Sequence, residues 1–556
     1  MKIYCVNTKE YIEIQGGETL LQIAGRLADQ LPFKPLCALV NNKAADLRFA
    51  VYSPKQVEFV NPQSSLGMRV YTRSLCMMLF KAVALEAPGH TLKIEHSISH
   101  GHFCRLTGSE GKIEIPSEEL IGRVLKRLRE TAEEDITFEP HERLTSDAKK
   151  IFADEGLHDK VLLLDTINRL YTKYYTLGDT ADSYYGPLAP STGYISVFDL
   201  IPYKDGMLLL GPDPKDPART AAPEPQEKMY HAFTDYLKFN KIIKVPNVGS
   251  LNLAVKHRKT HQLINVAEAV HEKFISRISD EITRRNRDGG ARIILLAGPS
   301  SSGKTTTSKR LAIQLMTNLM VPKVISLDDY FVDRDRTPRD DNGDFDFEHL
   351  HAVDLDRLNS DLSRLLRGET INLPTYSFEL GRRVEKERPL RLDPDEVLVM
   401  EGIHGLNPEL TPAIPRDDIF KIYVSALTTL TIDDHNWISP NDNRLLRRIV
   451  RDNKYRHVSA LETIRRWPSV RRGEERWIFP FQENADALFN SSLIFELGVM
   501  KPFAEPLLQE VPHDLPQYAD AYRLLSLLGY FRTIPSEQIP RTSLLREFLG
   551  GSAFHY

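Results

Sequence analysis

The chain has 556 residues, of which 41% are hydrophobic and 27% charged, with a net charge of −4 at pH 7. This composition is that of an ordinary globular protein and excludes a strongly basic nucleic-acid-binding protein. No apolar run approaches the roughly 20 residues that span a bilayer, and the start, MKIYCVNTKEYIEIQ, lacks the apolar core of a secretory signal. The four cysteines form no CxxC pair, so we expect a cytoplasmic protein.

Residues 1–62 predict a small β-grasp domain. KIYCV and YIEIQ alternate as strands around the turn NTKE, and TLLQIAGRLADQL has helical spacing behind Thr19, a residue typical of helix N-caps. CALVNNKAADL follows as two strands joined at Asn-Asn. The order of two strands, one helix and two strands indicates the β-grasp topology.

Residues 63–212 predict an α+β domain. SEELIGRVLKRLRETAEED is an amphipathic helix with Ser117 as its N-cap. EHSISHGHFC would place His100, His102 and Cys104 on one face of a strand, where they could bind zinc. The alternative, which we favour, is a structural strand.

Residues 213–285 predict a linker followed by helices. GPDPKDPARTAAPEPQEK contains five prolines, a composition typical of extended connections. From 286 to 500 strands and helices alternate, which predicts βαβ units and a parallel sheet flanked by helices. Residues 501–556 predict a helical extension whose last helix, LLREFLGG, packs on the rest and carries no visible chemistry.

The segment RIILLAGPSSSGKTTTSKRLAIQL contains the pattern GxxxxGK[ST] between a strand and a helix, the arrangement of a phosphate-binding P-loop. Backbone N–H groups of the loop and the helix N-terminus hold phosphates, the lysine reaches the terminal ones, and the hydroxyl after it binds Mg²⁺. By itself the loop leaves hydrolysis, transfer and nucleotide switching open. The predicted nucleotide-binding residues of the loop are Gly298, Ser300, Ser301, Ser302, Gly303, Lys304, Thr305 and Thr306.

Carboxylates follow two later strands. KVISLDDYF places Asp328 and Asp329 after a strand, and EVLVMEG ends at Glu401. The carboxyl ends of strands in an open parallel sheet face the ligand crevice. We therefore predict Asp328 as the base that accepts the proton of an acceptor hydroxyl, and Thr305, Asp328 and Glu401 as Mg²⁺ ligands. The alternative is that these acids only cap turns.

At this point the chain resembles the uridine kinase and phosphoribulokinase family. GPSSSGKTT, SLDDYF, FDFEHLHAVDLDRL, INLPTYSFELGRR, VLVMEGIHGL and RLLRRIVRD occur in the family's order over about 291–495. The resemblance implies an α/β P-loop kinase that uses ATP and Mg²⁺ to phosphorylate a ribose 5′-hydroxyl. It places Asp328 at the catalytic aspartate and Glu401 at the metal-binding glutamate.

NDNRLLRRIVRDNKYRH resembles the lid of that family. Arg444, Arg447, Arg448 and Arg451 have the i, i+3, i+4, i+7 spacing of one helix face, which would clamp phosphates during transfer. The resemblance implies that Arg456 contacts the nucleotide phosphates and Arg448 the acceptor ribose. We count Arg448 with Lys304 and Asp328 as catalytic, and Arg451 with Arg456 as nucleotide-binding. A solvated basic face is the alternative.

The predicted acceptor pocket departs from the family. Phe347 and Glu348 stand in FDFEH, where the resemblance implies a ribose-gripping aspartate, and Tyr376 and Phe378 in PTYSF fit the base pocket. Gly381 stands where the family has a base-reading histidine. Uridine or cytidine is the first expectation. A sugar phosphate or hydroxy acid acceptor, or an adaptor that senses nucleotide or RNA without catalysis, remains open.

The front of the chain resembles parts of threonyl-tRNA synthetase, namely its TGS domain in residues 1–62 and its editing domain in 63–212. The editing domain's two histidines are absent from RSLCMMLFKAV, and Tyr184 and Leu188 replace its other two ligands in YYGPL. We expect a scaffold without metal or hydrolysis, used for binding, regulation or assembly. Besides the small-molecule substrate, the expected partners are an RNA or nucleotide effector and a second copy in a homo-oligomer; no membrane partner is expected.

Overall fold

A computed structural model describes residues 1–108, 111–340, 343–377, 379–384 and 386–555. The first domain is a five-stranded sheet in the order β2-β1-β7-β4-β5, in which β1 and β7 are parallel. Helix α1 packs on it through Leu20 and Ile23, and Thr19 closes a capping box at its N-terminus. The predicted β-grasp order is confirmed. Its elements are β1 Lys2–Cys5, β2 Glu10–Glu13, β3 Glu18–Thr19, α1 Leu20–Arg26, β4 Ala38–Val40, β5 Lys43–Ala45, β6 Ala50–Val51 and β7 Gln56–Phe59.

The second region has two antiparallel sheets against long helices. Strand β9 pairs with β8, β10 and β15, β15 pairs with β14, and β12 joins β11 to β13. The elements are α2 Ser65–Glu86, β8 Thr91–Ile98, β9 Gly101–Thr107, β10 Ile113–Glu114, α3 Glu118–Glu133, β11 Phe138–Leu144, α4 Thr145–Asp154, α5 His158–Thr166, β12 Tyr171–Leu177, β13 Thr180–Asp182, β14 Asp199–Tyr203 and β15 Gly206–Leu210. Ser117 caps α3 as predicted.

The proline-rich connection after β15 is held to the second region. The Ala221 amide donates to the Gly211 carbonyl at 2.9 Å, and the Ser99 hydroxyl donates to the Glu224 carbonyl at 2.5 Å. The connection is therefore an ordered segment and does not act as a flexible linker, because its backbone forms hydrogen bonds with itself and with the second region. Three helices follow: α6 Glu227–Ile242, α7 Val248–Lys256 and α8 Thr260–Arg287.

The third region contains a parallel sheet in the order β17-β22-β16-β23-β26. Strand β16 lies at its centre and is buried along its whole length, as its apolar run predicts. The elements are β16 Ile293–Ala297, α9 Lys304–Thr317, β17 Val321–Ser326, α10 Leu355–Leu366, β18 Ile371–Asn372, β19 Tyr376–Ser377, β20 Arg382–Arg383, β21 Pro389–Leu390, β22 Glu396–Gly402, β23 Ile419–Ser425, β24 Thr431–Asp433, β25 Asn436–Trp437, α11 Pro440–Arg456, α12 Ala460–Trp477 and β26 Ala487–Asn490. The predicted parallel α/β architecture is confirmed.

The C-terminal helices share the core of this parallel sheet. They are α13 Glu496–Gln509, α14 Tyr518–Leu528 and α15 Arg546–Leu549. Leu508, Leu524 and Phe548 are fully buried in one cluster with Leu296 and Val424 of the sheet. The predicted boundary at 500 falls inside α13, since the helix runs unbroken from the sheet layer into the extension. No helix in the described part of the chain is long and apolar enough to cross a membrane.

Candidate active site

The phosphate loop joins β16 to α9 in the conformation that its glycines permit. Gly303 has φ +87° and Ser301 φ +58°, both in the left-handed region. A Cβ on Gly298 would lie 1.9 Å from the Val424 carbonyl oxygen, so no side chain fits there. The loop is therefore curled tightly over the carboxyl edge of the sheet, at the N-terminus of α9.

Lys304 and Thr305 begin α9 and point into the crevice. The Lys304 ammonium donates to the carbonyls of Gly298 at 3.0 Å and Pro299 at 3.2 Å. The lysine side chain therefore lies over the phosphate loop. The Thr305 hydroxyl donates to a Glu401 carboxylate oxygen at 3.3 Å. The ammonium group and the hydroxyl that is predicted to bind the metal thus face the same space.

Asp328 and Glu401 lie together because their strands are neighbours. β17 pairs with β22 in parallel, with Ser326 opposite Glu401, and Asp328 follows in a short 3-10 turn. Burial raises the pKa of the Asp328 carboxyl, with Lys304 opposing. Burial and the Asp328 charge raise the pKa of Glu401 to about 7, also against Lys304. Two partly buried carboxylates thus share one crevice with one lysine.

This donor set fits Mg²⁺. Carboxylate and hydroxyl oxygens are the ligands of hard cations, and Mg²⁺ takes few of them from protein because phosphates and water complete its shell. Burial and then the Asp328 charge raise the pKa of Glu401, and a cation would stabilise the ionised form of this carboxyl. Thr305, Glu401 and Asp328 are the residues that would hold it.

Glu348 extends the acidic crevice toward the acceptor side. Burial and the neighbouring Glu474 raise its pKa to about 7, while Arg448 and Lys304 lower it. Its Oε2 is buried without a hydrogen-bond partner in the described structure, and its Cβ lies 2.3 Å from where a Cβ on Gly473 would stand. A buried, unpartnered carboxylate oxygen beside Lys304 is poised to accept from a hydroxyl.

The predicted aromatic residues of the acceptor pocket differ in their exposure to solvent. Tyr376 is buried and meets Phe331 edge-on at 5.7 Å between ring centroids, whereas Phe347 is 37% exposed. Phe378 lies outside the described residues. Gly381 has φ +64°, and a Cβ on it would lie 2.7 Å from the Arg334 guanidinium carbon. Arg334 therefore stands beside the position where the sequence lacks a base-reading histidine.

Arg444 and Arg447 correct the prediction of one phosphate-facing arginine row. Both side chains are fully buried, where Arg444 pairs with Glu474 and Arg447 with Glu496. They donate to the carbonyls of Ser300 at 3.1 Å and Ser301 at 3.4 Å, respectively. They support the loop from behind, because α11 is covered on that side by α12 and α13.

The other two arginines of the row, Arg448 and Arg451, lie at the crevice mouth together with Arg456. Arg448 donates to the Ser300 hydroxyl at 2.8 Å. Arg448, Arg451 and Arg456 all lie within 3.4 Å of Asp452, which gathers their charges. Arg456 also lies close enough to Asp328 to lower the pKa of that carboxyl. These positions agree with their predicted roles, which remain predictions.

Two site residues escape sequence reasoning. Glu474 accepts from the Ser300 amide at 3.0 Å and pairs with Arg444 across a helix–helix contact. Glu547, in the helix predicted to carry no chemistry, accepts from the Thr306 amide at 3.1 Å and its hydroxyl at 2.6 Å. Only the packing of α15 on α9 could have revealed Glu547, since 241 residues separate the partners.

The candidate metal ligands of the front half have separate partners in the structure. His100 lies in the turn with φ +62° and pairs with Glu224. The His102 and Trp437 ring centroids lie 4.3 Å apart with the rings tilted, and the Cys104 thiol is buried. Among the described residues, no group of three or more His, Cys, Asp or Glu side chains is arranged to hold a metal. Tyr184 and Leu188 are both buried.

Comparison with known proteins separates the two halves. The model of the Phosphoribulokinase / Uridine kinase family matches residues 293–493. The uridine kinase of Ligilactobacillus salivarius is 31% identical over 205 residues, 36% of this chain and 86% of that enzyme. The threonine–tRNA ligase of Rubrobacter xylanophilus is 29% identical over 189 residues, 34% of this chain, and the chain spans only 29% of that ligase. This match supports the synthetase-like front part.

Among solved structures, the D-glycerate 3-kinase of Cryptococcus neoformans is 14% identical with a TM-score of 0.20, covering 46% of this chain and 87% of that one. The family match, in contrast, falls on the region that contains the phosphate loop, the paired carboxylates and the crevice arginines. The chain belongs to the phosphoribulokinase / uridine kinase family.

Proposed function

We propose that the protein transfers the γ-phosphate of Mg·ATP to the 5′-hydroxyl of a nucleoside, with uridine or cytidine as the first candidate. The observation that carries the proposal is the pairing of two partly buried carboxylates, Asp328 and Glu401, opposite Lys304 and Thr305. A site that only bound nucleotide would need neither a proton acceptor nor a second acid in that crevice.

The roles follow from charge and position. Lys304 and the loop amides hold the β- and γ-phosphates, and Thr305 and Glu401 hold the cation, which neutralises charge on the transferred group. Asp328 accepts the hydroxyl proton, and its raised pKa makes it a better base than an exposed carboxylate. Arg448 and Arg456 stabilise the charge that develops on the transferred phosphoryl group.

Glu348 orients the acceptor in this proposal. Its free carboxylate oxygen would accept from a ribose hydroxyl, while buried Tyr376 supplies an apolar wall. Glu348 must be ionised for a strong hydrogen bond, and a cationic group brought near it would favour that form.

Arg334 favours a second candidate, an acceptor that carries a phosphate or carboxylate. Its guanidinium stands against Gly381, where a nucleoside-specific site would present a neutral reader of the base. Guanidinium recognises such anions with paired hydrogen bonds. A sugar phosphate or hydroxy acid would use the same transfer machinery.

An acceptor panel tests both candidates. Purified protein with Mg·ATP is offered uridine, cytidine, adenosine, guanosine, a pentose phosphate and glycerate, with ADP release and product mass as readouts. A product heavier by one phosphoryl group on uridine or cytidine is the expected result. Turnover of the anionic acceptors alone would replace the nucleoside assignment. ADP release without any phosphorylated product would overturn kinase function.

A further inference from the structure

A second cleft lies outside the phosphate loop, where the front half meets the kinase region. It opens between helix α2 and the segment that runs from β25 into α11, and its cavity has a volume of about 220 Å³. This volume is below the roughly 300–1,000 Å³ of typical small-molecule sites, so a bound ligand would extend out of the open mouth of the cleft. The roles proposed above leave this cleft without a function.

Arg73 is the unusual residue of the cleft. Arg73 is only 8% exposed. Among the described residues, however, its guanidinium has no hydrogen-bond acceptor and no carboxylate within ion-pair distance. Its near neighbour is the Tyr185 ring, 5.3 Å away. Burial lowers the pKa of Arg73 to about 10, so it is still charged at neutral pH. A buried charge without a partner is costly unless a bound anion completes it.

The backbone around Arg73 is shaped to admit it. A Cβ on Gly186, which has φ +124°, would lie 2.3 Å from an Arg73 terminal nitrogen. Only glycine therefore lets the loop pass so close to the guanidinium. This close packing fixes the position of the Arg73 guanidinium in the wall of the cleft.

A second cation lies one turn away. Arg69 and Arg73 have the i, i+4 spacing that aligns them on one face of α2. Arg69 reaches a carboxylate only at 3.9 Å, from Asp520. Arg523, in contrast, is paired with both Asp442 and Asp520. Three arginines against two aspartates leave the cleft with one positive charge in excess.

The opposite wall is aromatic. The rings of Trp437 and His102 lie 4.3 Å apart, and burial lowers the pKa of His102 to about 4, so its ring is neutral. Such surfaces stack on planar bases. The cleft therefore combines two arginines that suit a phosphate with an aromatic ring, that of Trp437, that suits a base.

We propose that this cleft is an effector site that binds a nucleotide, with its phosphate on Arg73 and Arg69 and its base against Trp437. The cleft connects to the phosphate loop through one helix. Ser439 and Asp442 line the cleft at the start of α11, and the same helix carries Arg444 to the Ser300 carbonyl at 3.1 Å. A bound nucleotide would thus shift the position of α11 and thereby change the rate of phosphoryl transfer.

Binding is tested apart from catalysis. A full-length Lys304→Ala protein, which loses the lysine contact at the phosphate loop, also carries Trp467→Phe and Trp477→Phe, so that Trp437 is the remaining one of the three tryptophans. It is titrated with UMP, CMP, AMP and GMP, and with uridine and inorganic phosphate as fragments. We expect saturable quenching by at least one nucleotide, with each fragment at least about tenfold weaker. No fluorescence change with any nucleotide at millimolar concentration would overturn the assignment.

Two variants locate the anion. Arg73→Gln should raise the dissociation constant of the quenching nucleotide at least about tenfold, because a charge-assisted hydrogen-bond pair is lost. Arg69→Gln, at a more exposed position, tests the same point if Arg73→Gln fails to fold. Arg465→Gln, on an exposed part of α12, is the matched control and should bind normally. Unchanged affinity in both cleft variants would overturn the site.

Regulation is tested in the kinase assay and rests on the proposed function, whereas the binding test does not. The quenching nucleotide should change kcat or KM of the wild type at least about twofold. Arg73→Gln should keep the basal rate and lose that response. Binding without any change in rate would overturn the coupling through α11 and leave the site itself standing.

Discussion

At the scale of single residues, the crevice is defined by carboxylates in an apolar setting. Asp328, Glu348 and Glu401 are all partly buried near Lys304, and loss of contact with solvent is the first cause of the raised pKa of each. One lysine cannot neutralise three carboxylates. Arg448 and Arg456 supply part of the missing positive charge, and a bound cation would supply more.

Asp328→Asn separates catalysis from nucleotide binding. The amide keeps the shape but cannot accept a proton, and general-base catalysis contributes about 10²–10⁴-fold, so kcat should fall at least about 10²-fold. ATP affinity should change far less. Both are measured with the best acceptor. Asp329→Asn is the matched control, since Asp329 turns away to pair with Arg388 at 3.0 Å and should cost less than about fivefold. Retained turnover in Asp328→Asn would remove Asp328 as the base.

Metal binding should weaken in acid. Burial and Asp328 place the pKa of Glu401 at about 7, so the carboxylate is ionised at pH 8 and mostly protonated at pH 6. Protons then compete with the cation, and the affinity for Mn²⁺, a substitute for Mg²⁺, should fall about tenfold between these values. Titration followed by electron paramagnetic resonance, with ADP present, measures it. Glu401→Gln should bind weakly at both pH values; equal affinities at pH 6 and pH 8 for the wild type would contradict Glu401 as a ligand.

At the scale of elements, α11 and α15 shape the loop from opposite directions. α11 places Arg444 and Arg447 behind the loop, where each is neutralised by a buried glutamate. α15 places Glu547 on Thr306 at the start of α9, and Leu544 fills the space beside Gly303. A helix N-terminus attracts anions, so Glu547 occupies a position that suits a phosphate.

Glu547→Gln should tighten ATP binding. The carboxylate must give up two hydrogen bonds and repels incoming phosphate, and a hydrogen bond to a charged group contributes about 1.5–3 kcal/mol. We expect roughly tenfold tighter binding, measured by calorimetry at saturating Mg²⁺. Glu537→Gln, in an exposed turn of the same segment, should leave affinity unchanged. Weaker ATP binding by Glu547→Gln would instead assign Glu547 a supporting role in the loop.

At the scale of the whole molecule, a kinase hairpin joins the two halves. The β24–β25 hairpin extends to the second region, where Lys160 bridges Asp182 at 3.0 Å and Asp433 at 2.8 Å. His435 binds Asp182 at 2.7 Å. All four side chains are almost completely buried. The front half is therefore coupled to the kinase region through buried charges, and solvent could not compensate for the loss of one of them.

Lys160→Met should uncouple the halves. It leaves Asp182 and Asp433 buried without their shared cation, and breaking a buried pair costs about 3–5 kcal/mol. Calorimetry should show the front half unfolding in a separate transition at lower temperature. Lys149→Met, whose partner Asp165 is half exposed, is the control and should unfold as the wild type does. A single transition at the wild-type temperature in Lys160→Met would contradict the coupling.

The sequence by itself determined the phosphate loop, the carboxylates after β17 and β22, and the alternation that produces a parallel sheet. These are local patterns, in which residue type and spacing state what the backbone must do. Sequence spacing also placed four arginines on one face of α11, but spacing along a helix does not show which other elements cover that face. Only tertiary structure decided that Arg444 and Arg447 face buried glutamates while Arg448 faces the crevice.

The same limit applies to every contact between distant segments. Glu547 on Thr306, Arg334 against Gly381 and the buried Arg73 each depend on elements brought together by the packing of the hydrophobic cores. Hydrophobic burial is non-directional, so many arrangements would satisfy the same apolar pattern. Which polar groups then meet is settled by the three-dimensional fit of the cores, and that fit is a property of the whole chain.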